Sequence, residues 1–137
     1  MSIPKAVNLE LDRLDAAWET ERPAWVWVSE LNEEYRQEAL LWQQAGLLDA
    51  GESEAIALVR QSRADWLLTD DAAARLVAQS LGLEVHGSLG VVLWAAAAEY
   101  LTRGEADAVL ERLIHSSLWM SMRVVGEARA ALRQTYG

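Results

Sequence analysis

The side chains best suited to chemistry in this sequence are carboxylates. Asp70 and Asp71 stand side by side after the apolar run of "ADWLLTDDAAAR", Glu52 and Glu54 open "GESEAIAL", and Glu10 lies in "IPKAVNLEL". Carboxylates on separate elements serve one of two ends. They gather around a hard divalent cation such as Mg2+, which takes a few carboxylates and keeps several waters. Otherwise they cap helices and favour the positive end of the helix dipole, each worth up to about 1 kcal/mol. On the capping reading Asp70 caps the next helix, Asp71 favours its dipole, and Glu52 is explained in the same way. Glu54 precedes "AIAL" on a helix that otherwise packs inward, and Glu10 borders an apolar stripe. Charge near burial costs several kcal/mol unless compensated. A cation would compensate it, and so would ion pairs to Arg60, Arg63 or Arg75.

Other reactive patterns are missing. There is no Walker loop, no nucleophile elbow and no HExxH, and "GSLG" at 87–90 reads as a tight turn and helix start. His86 and His115 are far apart and read as turn or surface residues. With no cysteine, disulfides, zinc–thiolate sites and thiol chemistry are all excluded.

The elements that must position the acids follow from periodicity. Ser2, Ile3 and Pro4 read as the cap and first turn of a helix, along which Val7, Leu11, Leu14 and Trp18 form one apolar stripe. Strands are expected at 25–28, 66–69 and 83–85. The "DWLLT" run shows no polar alternation, as in a parallel sheet covered on both faces. Helices are expected at 33–45, with Gly46 as the stop, through "ESEAIALVRQSRA", through "DDAAARLVAQSLG" to Gly82, through "VVLWAAAAEYLTRG", and at about 105–114 and 122–134. Strands separated by such helices imply right-handed crossovers and an α/β fold with a short parallel sheet. Asp70 and Asp71 then fall at the carboxyl edge of the strands, where open α/β sheets bind ligands.

At 137 residues one domain over 1–137 is expected, and its 52% apolar content argues against disorder. A net charge of −9 excludes a broad basic footprint for nucleic acid, though not an enzyme that meets RNA through a metal and a few basic side chains. The N-terminus carries charges too early to read as a signal peptide, and "LGVVLWAAAA" is too short to cross a membrane, so a cytoplasmic protein is expected. Seven tryptophans and no phenylalanine read as core or interface packing, since stacking platforms for bases come with basic neighbours.

The order of the blocks "IPKAVNLEL", "AWVWV", "LLDAGESEAIAL" and "ADWLLTDDAAARLVAQSLGLEVHGSLGVVLWA" resembles the PIN-like proteins of the DUF3368 group, from about Ile3 to the C-terminus. That group resembles the toxin nucleases of bacterial toxin–antitoxin pairs. The resemblance implies a Mg2+- or Mn2+-dependent endoribonuclease with Glu10, Glu54 and Asp71 as catalytic metal ligands, Asp70 beside them, and Glu52 a neighbour. Ser88 takes the hydroxyl position of the family's "GTLG" turn. It also implies an RNA substrate and an antitoxin protein as partner. The family begins with a hydrophobic strand ending in an aspartate, and no such strand precedes Glu10 here. The expectation is therefore an N-terminally incomplete PIN-like domain with an incomplete acidic site. Its sheet would lack its middle, and its free edges would favour a homo-oligomer. The alternative implied function is an inactive PIN-like remnant that binds partners or oligomerises.

Overall fold

A computed structural model describes residues 1–137. It contains two compact units, Met1–Val85 and His86–Gly137. The first begins with strand β1 (Ser2–Pro4), helix α1 (Lys5–Leu14) and the single turn α2 (Trp18–Glu21), then strand β2 (Trp27–Ser29) and helix α3 (Glu33–Gln44). Helix α4 (Ala50–Ser62), strand β3 (Leu67–Leu68) and helix α5 (Ala72–Ser80) follow. Strand β4 (Val85–His86) ends the first unit and opens the second, which holds helices α6 (Ser88–Ala97), α7 (Arg103–Ile114) and α8 (Met122–Thr135).

The α/β class is as the periodicity predicts, but the strands are shorter and one is displaced. Ser2–Pro4 is no helical turn; it pairs in parallel with β2, in the register Ser2↔Trp27, Ile3↔Val28 and Pro4↔Ser29. Pro4 still serves as the N-cap of α1, with ψ of 165° and no side-chain bond to offer. The strands expected at 25–28, 66–69 and 83–85 narrow or shift to 27–29, 67–68 and 85–86. They form two two-stranded sheets, β1–β2 and β3–β4, rather than one.

Helix α4 organises the first unit. Its inward face carries Ile56, Ala57, Leu58 and Val59, all buried, and it packs against α1, α3, α5, β1 and β3. One core joins Ile56 and Val59 to Leu48, Leu67, Ala74 and Ala78; a second joins Ala57 and Leu58 to Leu31 and Ala39. Burying such aliphatic side chains is worth about 1.5–3 kcal/mol each. Helix α1 contributes differently from its expected stripe. It buries no residue, stops at Leu14, which is 84% exposed, and leaves Trp18 to open α2. Asp15 interrupts the helix, and its carboxylate instead accepts a bond from the Ala17 amide at 3.0 Å. Likewise Leu67 is buried but Leu68 is 41% exposed, so β3 is covered on one face, not both.

The second unit has its own core of Ala96, Ala106, Leu110, Ala128 and Leu132. The apolar "LGVVLWAAAA" run lies mainly in α6, where Val92 and Ala96 face inward while Trp94 is 47% exposed. No helix of the chain is long and apolar enough to cross a membrane.

Candidate acidic site

The first turn of α1 has a deficit. Its cap is a proline with no side-chain acceptor, so the early amides need a partner from elsewhere. Glu54 supplies one: its Oε1 accepts a bond from the Ala6 amide at 3.2 Å. The reverse arrangement holds at α4. Asp49 caps that helix, accepting from the Glu52 amide at 3.1 Å, and Glu10 of α1 lies over Gly51, the second residue of α4. A β-carbon on Gly51 would stand 2.7 Å from Oε1 of Glu10, so a larger residue there would displace the Glu10 carboxylate. Helices α1 and α4 thus each offer a carboxylate to the other's positive end.

Two cavities open around these acids. One, of about 200 Å3, is lined by Glu10, Glu52 and Thr69 among apolar residues; neither Glu10 nor Glu52 has a hydrogen bond or ion pair through its carboxylate. The other, of about 520 Å3, brings Glu10 and Glu54 together with Lys5, Arg13 and Arg36. Those cations are already engaged. Lys5 pairs with Glu30 at 3.2 Å, Arg36 with Glu33 at 3.2 Å, and Arg13 donates to the Leu9 carbonyl at 3.3 Å.

Asp70 and Asp71 exchange the roles expected of them. Asp71 is the cap of α5, its Oδ2 accepting from the Ala74 amide at 2.8 Å, while Asp70 precedes it outside the helix. Both are exposed, and neither lines the cavities that hold Glu10. Nor does the arginine compensation act on Glu10 or Glu54. Arg60 pairs with Glu38 of α3, and Arg63 closes α4 in the left-handed region at φ 53°. His115 is an exposed helix end, 3.6 Å from Glu111.

So Glu10 and Glu54 share a cavity, Glu10 and Glu52 share another, and Asp71 stands apart. No group of three or more His, Cys, Asp or Glu side chains is placed to hold a metal ion. Glu54 and Asp71 each hold a helix amide through one carboxylate oxygen. The capping of α1 by Glu54 is not evident from sequence, although Pro4 at a helix start carries the signal: a cap without an acceptor calls one in from another element.

The architecture is α/β, with short parallel pairing flanked by helices. The chain belongs to the DUF3368 family, described as a PIN domain, whose sequence profile matches residues 1–134. No curated protein and no solved structure matches it.

Proposed function

We propose that this chain is a PIN domain of the toxin–antitoxin type that supplies an incomplete acidic site and acts by itself as a binding module rather than as a ribonuclease. One observation supports the reading: Glu54 and Asp71 each hold a helix amide, of Ala6 and Ala74, on different elements, and no three of the acids are gathered around one point where a cation would sit. A metal-bound water able to attack a phosphodiester needs the cation fixed by several ligands. The competing reading, an active Mg2+- or Mn2+-dependent endoribonuclease cutting RNA through Glu10, Glu54, Asp71 and Asp70, draws support from the unpaired Glu10 and Glu52 in one cavity.

RNA cleavage separates the two. The chain, Glu54→Gln and Asp71→Asn, purified identically, are incubated with single-stranded RNA and Mg2+ or Mn2+. The expected result is no cleavage above that of the variants. Metal-dependent cleavage by the unaltered chain that disappears in both variants overturns the binding-module reading and establishes the nuclease. The antitoxin-type partner follows from the same reading and is a protein rather than RNA, in keeping with a net charge of −9.

A further inference from the structure

Helix α8 carries features that its own unit does not use. The Ser121 hydroxyl accepts from the Val124 amide at 3.1 Å, which fixes Met122 as the first helical residue. Met122 is 93% exposed, and Trp119, in the loop that enters the helix, is 84% exposed. The core contacts of α8 come from Ala128 and Leu132. At about 100° per residue, Met122, Gly126, Ala130 and Arg133 lie within about 80° of one another. They share a face turned from those two core residues.

Gly126 is the anomaly on that face. Glycine inside a helix is less stable than alanine, and here neither a left-handed backbone nor crowding requires it. A β-carbon there would meet nothing within 4 Å. Within the unit nothing is gained by the small residue. Between two helices it permits an approach closer than the roughly 8–10 Å of ordinary pairs.

Charge selects the partner. Residues 86–137 hold five arginines and five carboxylates, so the net charge of −9 sits on residues 1–85. Two copies meeting through α8 bring neutral units together, whereas contact through the first unit sets like charge against like. The face is also complementary to itself. It offers the indole of Trp119 at one end and the Arg133 guanidinium, which has no ion pair, at the other. Arg123 and Arg129 are already engaged, by Glu127 at 3.0 Å and Glu111 at 2.6 Å. Parallel pairing of two such helices sets Arg133 against Arg133 and aligns their dipoles. Antiparallel pairing lays Arg133 on the indole, a cation–π contact, and opposes the dipoles.

We propose that α8 is the docking face for a second copy of this chain, the two helices crossing antiparallel at Gly126. Trp119 of each copy then meets Arg133 of the other, and the flexible Met122 fills the space beside Ala130. An isologous contact of this kind closes at two copies. It is independent of whether the acids of α1 and α4 hold a cation.

The chain has no cysteine, so a single introduced one reports the contact directly. Gly126→Cys is compared with Gly104→Cys, at an equally open glycine on α7. A disulfide needs Cα atoms within about 7 Å, so under mild oxidation Gly126→Cys is expected to link two copies at least about tenfold faster. By sedimentation, Gly126→Leu should weaken dimerisation at least roughly tenfold by holding the helices apart. Its helix content by circular dichroism should be undiminished, because leucine favours helix more than glycine does. Trp119→Ser, at an exposed position, should weaken the dimer several-fold, and Arg133→Glu likewise. Raising salt from about 0.05 to 0.5 M should change the dimerisation constant less than about threefold, since neutral units meet. A chain that stays monomeric through the micromolar range, equal linkage of the two cysteines, or a dimer indifferent to Gly126→Leu and Trp119→Ser overturns the proposal. So does a dimer that tightens strongly with salt, which assigns the contact to the acidic unit.

Discussion

At the scale of single residues, the acidic side chains differ in what already holds them. Asp71 has the geometry of an N-cap, with the Ala74 amide 2.8 Å from its carboxylate. Asparagine caps as well as aspartate, while alanine has no acceptor. Asp71→Asn should therefore keep the melting temperature close to that of the parent chain, and Asp71→Ala should cost about 1 kcal/mol by thermal or urea unfolding. Equal loss in both variants would show that the charge, not the cap, holds that position. The asparagine variant is also the right one for the cleavage assay, because it removes charge without loosening α5. That one of this adjacent pair caps α5 is readable in sequence; that Asp71 rather than Asp70 does so depends on where the chain turns after Thr69. Glu54 shows a harder case. Its partner is an amide 48 residues away, and nothing in the local pattern "GESEAIAL" points to Ala6.

At the scale of elements, helices whose ends are fixed by their own residues are the legible ones. The start of α7 is closed by a capping box, in which the Thr102 hydroxyl accepts from the Glu105 amide at 3.2 Å and the Glu105 carboxylate from the Thr102 amide at 3.0 Å. Those bonds with Thr102 hold the Glu105 carboxyl below its ordinary value. A carboxyl with a lowered folded pKa stabilises the fold above its unfolded value, and that contribution disappears as pH falls through the folded one. The margin of the parent chain over Glu105→Gln, measured by thermal unfolding, is therefore expected at neutral pH and should shrink in acid. Thr102→Ala should cost about 1 kcal/mol at neutral pH. A margin independent of pH would mean that Glu105 is not held by this box. Strands fared differently. "SIP" has the residue types of a helix start, and it becomes β1 through pairing with Trp27–Ser29, more than twenty residues later.

At the scale of the molecule, the two units have separate cores and leave large apolar side chains in solvent. Trp25 is 62% exposed, Trp119 84% and Met122 93%, so Trp25 and Trp119 lie outside the cores. Exposed apolar groups of this size favour association. We propose a homo-oligomer, expected to appear by light scattering at micromolar concentration; a monomer there overturns that expectation.

The sequence by itself determined the α/β class and the positions of the main helices. Helical hydrogen bonds and caps join residues three or four apart, so their signals lie within one window of the chain. The tertiary structure alone decided that the strands form two sheets, and that Glu54 serves the first turn of α1 while Glu10 lies over the start of α4. Those outcomes depend on groups brought together from distant parts of the chain, where an amide without a local acceptor takes whichever carboxylate the packing delivers.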